Sequence, residues 1–416
     1  MRKIPITLAI LLVAMLIALV TLPVICFEKD ASSNIFVNIS KRIVAEMGAV
    51  ASRILFNEEP QKSAYFGPYD ENAAMFNPEV ISEKGFKASS AKVRNASVSE
   101  YVRNFKYEDF NTPELGLLRS NYELREVTKD GKREFDKIVM LRDWVKGHIP
   151  WGRPRNVDYN FNALDILARS ELGDAFFCSE YSTVFVQCVL SLGITARYVG
   201  LFKGHIVTEV WSDDFSKWVV MDVNNGLFYE RDGIPLNALE LHDAWEARDI
   251  DNIKLVKSAA GADISAKEKE ALISFYHEFY ISMRNNWFSK RYPHWHHMAN
   301  SIMNGIEWQD SFTGDNILVS KGTKNREELY FSINITEIKS SITQPADSGL
   351  ELAFNTFTPG FSHFQVLVDG EKPVIQKSGL FRWDLKNGAN RLAVRAVNML
   401  GIKGPLSEID LVLEKL

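Results

Sequence analysis

The sequence contains little cysteine, with three such residues in a chain of 416. Cys26 lies in an N-terminal apolar run, so the body of the chain has only Cys178 and Cys188. The apolar spacing after Cys178 predicts one helix that contains both, in which ten residues span about 15 Å. Because a disulfide requires Cα atoms within about 7 Å of each other, we expect two free thiols.

Concentrated positive charge is also absent, since no run of Lys and Arg is longer than two residues. The net charge is −5 and the pI is about 6.0. A nucleic-acid partner therefore has no electrostatic support. Hydrophobic residues make up 46% and charged residues 24%, which is a globular composition, and the length suggests two or three domains.

Near the N-terminus, Arg2 and Lys3 precede an apolar run from Ile4 to Phe27. The length of this run suits either a secretory signal or a single membrane-spanning anchor. Neither a clear cleavage site nor the small residue of a lipoprotein signal is present. Positive charge before the run and acidic residues after it favour a body outside the cell membrane. We expect an extracytoplasmic protein, either anchored by segment 1–30 or secreted.

Cys178 begins a pattern that is typical of a buried helix. The apolar positions of this pattern are Tyr181, Val184, Phe185, Cys188, Val189 and Leu192, with Gly193 as the stop. The start of a helix carries partial positive charge and unpaired N–H groups. Both favour a thiolate at Cys178, and the N–H groups can hold an oxyanion. Cys188 instead fits a buried structural thiol.

His205 and Asp222 lie on two strand-like runs that are joined by a polar turn. If the turn centres between Asp213 and Asp214, then His205 and Asp222 are directly opposite each other. Opposed Cβ atoms are about 4.5–5.5 Å apart, close enough for the carboxylate to accept from the imidazole. A bulge would shift this register. Glu209, on the same strand face as His205, is an alternative carboxylate.

Together, Cys178, His205 and Asp222 predict acyl-transfer chemistry on an amide or ester. A thiol beside an imidazole that is oriented by a carboxylate forms thiolate at neutral pH, and thiolate is the attacking species. The order nucleophile, base and orienting group follows the general logic of catalytic triads.

Residues from about 135 to 245 resemble the transglutaminase-like superfamily, which has a papain-like fold. The resemblance rests on four segments in order: Phe177-Cys178-Ser-Glu-Tyr, Gly193-Ile-Thr-Ala-Arg197-Tyr-Val, His205-Ile-Val-Thr-Glu209-Val and Trp218-Val-Val-Met-Asp222. It implies that Cys178 is the nucleophile, that His205 is general base and acid, and that Asp222 orients the imidazole.

The chain departs from the family pattern on both sides of the site. Phe176 and Phe177 stand where many members have Gly before the Cys, and Val223 replaces the Pro that often follows the Asp. Members of the family supply a second oxyanion donor from a side chain upstream of the Cys. Trp144 and Trp151 are the candidates here, beside the Cys178 backbone N–H.

The chain divides into five predicted segments. These are a signal or anchor (1–30), an N-terminal helical or irregular region (31–134), a transglutaminase-like core (135–250), a helical extension (251–314) and a β-sandwich (315–416). The extension contains a helix expected from Ser265 to about Met283, with a capping box at Glu268. Seven short alternating runs after Asp315 predict an immunoglobulin-like or fibronectin-like sandwich. The predicted fold class is α+β, with the Cys helix packed on an antiparallel sheet.

A cluster of histidines at His294, His296 and His297 invites a metal interpretation. No Cys or carboxylate accompanies them at ligand spacing, so we predict neither a metal nor a cofactor. Contact with a substrate or a sugar is the alternative interpretation of this segment.

The sequence as a whole predicts an exported cysteine acyl-transfer enzyme that hydrolyses peptide or amide bonds through a thioester. Its expected substrate is a peptide, a protein or a cell-envelope polymer. Two alternatives stay open. One is a protein cross-linking transamidase, and the other is a non-catalytic surface module that binds peptide or glycan and retains the triad as a relic.

Overall fold

The computed structural model describes residues 64–65, 78–201, 204–257, 264–290, 304–311, 319, 321–341 and 344–416. The predicted signal or anchor 1–30 lies outside these residues. Within the described ranges, no helix is both long and apolar enough to cross a membrane. The helices are α1 (Pro78–Glu83), α2 (Pro113–Asn121), α3 (Leu124–Val127), α4 (Glu134–His148), α5 (Ala163–Glu171), α6 (Cys178–Ser191), α7 (Ala238–Glu246), α8 (Ala266–Ser274) and α9 (Arg326–Leu329), with 3-10 turns at Glu100–Asn104 and Phe275–His277.

The strands form four sheets within the described part of the chain. They are β1 (Ala64–Tyr65), β2 (Phe86–Arg94), β3 (Ala196–Leu201), β4 (His205–Ser212), β5 (Lys217–Met221), β6 (Leu227–Arg231), β7 (Ile234–Pro235), β8 (Ile253–Lys257), β9 (Phe279–Ser282), β10 (Gly305–Trp308), β11 (Lys321–Thr323), β12 (Thr336–Ser340), β13 (Gly349–Phe357), β14 (Phe361–Val368), β15 (Val374–Gln376), β16 (Leu380–Asp384), β17 (Gly388–Asn398) and β18 (Ser407–Lys415).

Helix α6 is enclosed on all sides, and every residue in it except Ser179 is buried. It packs against α2, α4 and α5 on one side and against β3 and β4 on the other. The predicted stop at Gly193 is present, with a φ of 86° that favours glycine. The N–H of Gly193 donates to the Leu190 carbonyl at 2.9 Å and closes the last turn.

The central sheet has the strand order β11–β10–β9–β3–β4–β5. Its strands pair antiparallel, except that β10 and β11 are parallel. The helix that carries Cys178 thus packs on a largely antiparallel sheet. This mixed architecture agrees with the predicted α+β core.

The β4–β5 hairpin has a different register from the one we predicted. Ser212 pairs with Lys217, so the turn is centred one residue further along the chain than expected. His205 and Asp222 are therefore not directly opposite, and that prediction was wrong. Asp222 follows the last residue of β5 and lies diagonal to His205, at a separation that longer side chains span. The physical reason is the four-residue turn, in which Ser216 adopts a left-handed φ of 51°.

Contacts with α4 fix this turn. The Phe135 N–H donates to Asp214 Oδ2 at 2.9 Å, and the Asp213 N–H donates to Glu134 Oε1 at 3.2 Å. These partners are about 79 residues away in sequence, so a local turn rule could not include them.

The helix predicted from Ser265 begins as expected, with Ser265 and Glu268 forming the capping box. It ends at Ser274 rather than near Met283, and Phe279–Ser282 forms strand β9 instead. The helical prediction for this stretch was wrong. A position between β3 and β10 gives β9 hydrogen-bonded neighbours on both edges, and its apolar side chains are buried in the sheet.

Two antiparallel sheets make up a β-rich C-terminal region. One contains β1, β12, β13 and β16, and the other has the order β15–β14–β17–β18–β2. Side chains from both sheets, among them Phe354 and Val394, share one hydrophobic core. Strand β2 pairs antiparallel with β18 along most of its length. A strand from the predicted segment 31–134 therefore completes a sheet of the predicted segment 315–416.

The β-rich region also contacts the central core. Asn398 Nδ2 donates to the Gly193 carbonyl at 2.9 Å, directly behind the end of α6. Phe331 packs edge-on against Trp218, with ring centroids 5.9 Å apart, and its carbonyl accepts the indole N–H at 2.8 Å. Residues from the C-terminal part of the chain thus contact both the end of α6 and strand β5, the elements next to the predicted site.

Candidate active site

Cys178 is the first residue of α6, and 9% of its surface is exposed. Glu180 fixes this first turn by accepting the Phe177 N–H at 3.2 Å and the Tyr159 hydroxyl at 2.9 Å. The thiol and the Cys178 N–H therefore lie at the positive end of a rigid, buried helix.

His205 is the first residue of β4 and lies between the other two predicted residues. Its Nε2 is 3.1 Å from Asp222 Oδ2. The Cys178 side chain lies close enough to the same imidazole to raise its pKa. Because Nε2 contacts the carboxylate, Nδ1 is the ring nitrogen left for the thiol. The fold thus brings together thiol, imidazole and carboxylate in that order.

Burial and charge have opposite effects on His205. Burial alone would lower the pKa of the imidazole, because it disfavours the charged form. The charge of Asp222, its hydrogen bond and the Cys178 side chain outweigh burial and raise the pKa to about 10. At neutral pH the imidazolium is the favoured form, and it is the partner that a thiolate requires.

Asp222 is 1% exposed and is held by Asn225. Its Oδ1 accepts the Asn225 N–H at 3.2 Å, and its Oδ2 accepts the Asn225 Nδ2–H at 2.9 Å. Burial would raise the pKa of Asp222, but His205 and then Asn225 bring it below its usual value. Asn225 was not among the residues predicted from the sequence, where its only signal is the polar segment Asn224-Asn225-Gly226 after Val223.

Lys146 connects the loop after Asp222 to the Cys178 helix. Its ammonium donates to the Asn224 carbonyl at 2.6 Å and lies 5.4 Å from the ring centroid of Tyr181, one turn after Cys178. Burial lowers the pKa of Lys146, and the charge of Asp222 opposes this. Lys146 is a further residue that the sequence analysis missed, because α4 and this loop meet only in the tertiary structure.

Glu209, the alternative orienting carboxylate, is fully buried in another network. Its Oε2 accepts both Nε and Nη2 of Arg197, at 2.9 and 2.6 Å. Its Oε1 accepts the Ala238 N–H at 2.8 Å and the Tyr330 hydroxyl at 3.0 Å. The carboxylate beside His205 is therefore that of Asp222, and Glu209 serves the packing of β3, β4 and α7.

The two tryptophans considered as oxyanion donors have different surroundings. Trp144 stacks on His148, with ring centroids 4.0 Å apart, and also contacts Tyr122. Trp151 lies beside Phe177, the residue before Cys178, with centroids 5.5 Å apart. Of the two, Trp151 is the one that contacts the residue preceding the nucleophile.

Tyr280 approaches the site from β9 and was not part of our sequence analysis. Burial and the nearby Cys178 raise its pKa to about 12. The ring lies on Gly200, where an added Cβ would come within 2.0 Å of the ring. Glycine at this position therefore allows the close approach.

Cys178 and Cys188 are both free thiols. Burial raises the pKa of Cys188 well above its usual value, which favours the inert thiol form. Among the residues with described positions, no group of three or more metal-ligating side chains is suitable for a metal ion. His294, His296 and His297 lie outside them.

The family comparison covers the segment that contains the three predicted catalytic residues. Residues 124–223 match the family described as the transglutaminase-like superfamily, and the match includes Cys178, His205 and Asp222. This confirms the predicted resemblance: the chain carries a transglutaminase-like domain over about a quarter of its length. A comparison with curated proteins gives no match.

Proposed function

We propose that the protein is a cysteine acyl-transfer enzyme that hydrolyses peptide or amide bonds. The observation that carries this proposal is the proximity of three side chains within the transglutaminase-like segment. The His205 imidazole lies between the Cys178 thiol, at the start of α6, and the Asp222 carboxylate. The assigned roles are nucleophile, general base and acid, and orienting carboxylate.

In the proposed mechanism, the Cys178 thiolate attacks the carbonyl carbon of the substrate. The resulting oxyanion is held by N–H groups at the start of α6, with the Cys178 N–H as the first donor. His205 then gives its proton to the departing amine, and a thioester remains on Cys178. Water attacks the thioester while His205 accepts its proton, which releases a carboxylic acid and restores the thiolate–imidazolium pair.

Hydrolysis is preferred over cross-linking because water is always available as acyl acceptor. Glu180 is the acidic neighbour of Cys178, but its oxygens are bonded to the Phe177 N–H and the Tyr159 hydroxyl. Lys146 is a cation whose ammonium lies 5.4 Å from the Tyr181 ring centroid, one turn after Cys178. Positive charge near the thioester does not favour the approach of a second, cationic amine.

We further propose that the enzyme acts outside the cell membrane, on a peptide, a protein or a cell-envelope polymer. This rests on the apolar N-terminal run and the charges at its two ends. In this proposal the C-terminal β-rich region is an immunoglobulin-like or fibronectin-like sandwich that supports the catalytic core. The observation in its favour is the hydrophobic core shared by two antiparallel sheets.

The test is alkylation of the full chain with iodoacetamide at different pH values, followed by mass spectrometry of the labelled peptides. We expect Cys178 to react at about pH 5, where an ordinary thiol with a pKa of about 8.5 is protonated. Cys188 should stay unlabelled in the folded protein. Cys188→Ala is the matched control and should leave the labelling of Cys178 unchanged.

Incubation with peptide or envelope extracts should then trap an acyl adduct on Cys178 that Cys178→Ala lacks. Release of the adduct as an acid in water supports hydrolysis, and transfer to added amines at the same enzyme concentration would instead support cross-linking. Slow labelling of Cys178 at acidic pH, together with no adduct, would overturn the enzyme proposal in favour of a binding module.

A further inference from the structure

Two large aromatic side chains next to Cys178 are exposed. Trp151 is 56% exposed and Phe177 is 42% exposed, whereas the aromatic residues that follow in α6, Tyr181 and Phe185, are buried. The rings of Trp151 and Phe177 meet edge to face, with centroids 5.5 Å apart and an interplanar angle of 76°. They form a corner of two perpendicular apolar faces.

The corner is held in place by the backbone on both sides. Trp151 forms a parallel β-bridge with Phe176, and the N–H of Gly152 donates to the Phe176 carbonyl at 3.1 Å. Phe177 is the N-cap residue of α6. The two aromatic residues therefore keep a fixed position relative to the nucleophile, which follows Phe177 directly in the chain.

Single exposed apolar residues are ordinary, but contacting aromatic residues beside a nucleophile are not explained by packing alone. Covering their open faces would remove apolar surface from water and is favourable. Because perpendicular rings offer both a face and an edge, the corner suits a flat or branched apolar group.

The charges nearby disfavour a cationic group, and the negative faces of the two aromatic rings disfavour an anionic one. The Lys146 ammonium lies 5.4 Å from the Tyr181 ring centroid, and the Tyr181 ring lies 6.4 Å from that of Trp151. Arg153, two residues after Trp151, is exposed. A cationic ligand group would be attracted by the aromatic faces but repelled by these two charges.

We propose that Trp151 and Phe177 form a subsite for a neutral aromatic or branched aliphatic side chain on the substrate residue whose carbonyl Cys178 attacks. This inference rests on the proposed function and names the substrate class of the same site. Trp151 and Phe177 are specificity-determining residues: they bind the acyl part of the substrate and place its carbonyl at the thiol.

The test compares two alkylating reagents on the full chain, N-phenyliodoacetamide and iodoacetamide itself. The ratio of their rate constants at Cys178 is divided by the same ratio for glutathione, which removes the intrinsic reactivity of the reagents. We expect this corrected ratio to be about ten in the wild type, since a hydrophobic group in an apolar site is worth about tenfold or more. A third reagent, iodoacetamide with a quaternary ammonium group, should give a corrected ratio near one.

Trp151→Ala should bring the corrected ratio for the phenyl reagent close to one. Phe177→Leu, which keeps an apolar N-cap and loses the ring, should lower it as well and serves if Trp151→Ala does not fold. Val374→Ala, at an exposed residue of β15 in the C-terminal region, is the control and should change neither rate.

A corrected ratio near one in the wild type, or an unchanged ratio in both aromatic variants, would overturn the subsite. An equal gain for the cationic reagent would overturn the neutral ligand class. If Cys178 proves unreactive at acidic pH towards plain iodoacetamide, the proposed function fails, and the ratio measured at higher pH still tests the subsite independently.

Discussion

At the scale of single residues, the chemistry of the site depends on the balance of burial and charge at His205. Burial disfavours the imidazolium, and Asp222 restores it. The carboxylate can do so only because it is itself kept ionised by His205 and Asn225. The charge on each of these groups thus depends on its neighbours, which is usual for functional sites.

Asp222→Asn should test this balance, because it keeps the shape of the side chain and removes its charge. Burial then dominates, the pKa of His205 falls, and the imidazolium is lost at neutral pH. We expect the alkylation rate of Cys178 at pH 7 to drop by about a hundredfold or more. Asp249→Asn, at an exposed ion pair, is the control. An unchanged rate in Asp222→Asn would show that Asp222 does not support His205.

Asn225→Ala removes the amide donor from Asp222 Oδ2 and leaves the backbone N–H on Oδ1. Loss of a hydrogen bond to a charged group should lower the alkylation rate of Cys178 by about tenfold. The acid limb of the pH–rate profile should also move to higher pH, because the pKa of Asp222 rises. Loss of local structure alone would lower the rate without that movement.

Asn160→Ala is the matched control for this prediction. Asn160 Nδ2 likewise donates to a carboxylate, Asp165 Oδ2, at 2.8 Å, but in an exposed loop. Its removal should leave the pH–rate profile in place.

At the scale of elements, the pair Arg197 and Glu209 connects β3, β4, α7 and the segment after α9. Both side chains are 0% exposed, and the guanidinium lies 4.0 Å from the ring centroid of Trp218. Both residues belong to the motifs that carry the family resemblance. In this structure they maintain the sheet on which His205 lies rather than contact the reacting groups.

Arg197→Met should therefore lower the free energy of unfolding by about 3–5 kcal/mol, since it leaves Glu209 buried and unpaired. The double variant Arg197→Met with Glu209→Gln should recover part of this loss. Urea denaturation followed by tryptophan fluorescence measures the effect. Arg326→Met, which breaks a half-exposed pair with Asp243, should cost less than about 1 kcal/mol. Equal losses for the two single variants would contradict this assignment.

At the scale of the whole molecule, the chain folds back on itself. Strand β2 pairs with β18 although their residues are more than 300 positions apart in the chain. Asn398 donates to the Gly193 carbonyl, two residues after the end of α6, and the turn between β4 and β5 is held by α4. These contacts between distant parts of the chain join the β-rich region to the core. We therefore expect the described part of the molecule to unfold as one unit, with a single free energy of unfolding.

The pH dependence of that stability follows from His205. Its folded pKa of about 10 lies above its unfolded value of about 6.5. The folded state binds the extra proton between these values, so the contribution of His205 is complete below about pH 6.5 and is lost as pH rises to about 10. The free energy of unfolding of the wild type should fall across this window, measured by urea denaturation at each pH. In Asp222→Asn the fall attributable to His205 should be absent, and parallel curves for the two proteins would contradict the prediction.

Local patterns in the sequence determined the start of α6 at Cys178, its stop at Gly193, the strand that begins at His205, the strand that ends just before Asp222, and the family resemblance. These features depend on periodicity, capping and short motifs, which act over a few residues. The hairpin register was predicted wrongly because contacts with α4 fix the turn. Phe279–Ser282 was predicted to be helical but forms a strand, because it pairs with β3 and β10 in the central sheet.

Only the tertiary structure decided which carboxylate contacts His205, since Asp222 and Glu209 both lie on its strand face or close to it. It also revealed Asn225, Lys146 and Tyr280, whose contacts at the site come from the loop after β5, from α4 and from β9. Side chains that meet across distant elements leave no periodic trace in the chain. Their positions depend on the packing of apolar surfaces and on the pairing of buried polar and charged groups, which involve the whole fold.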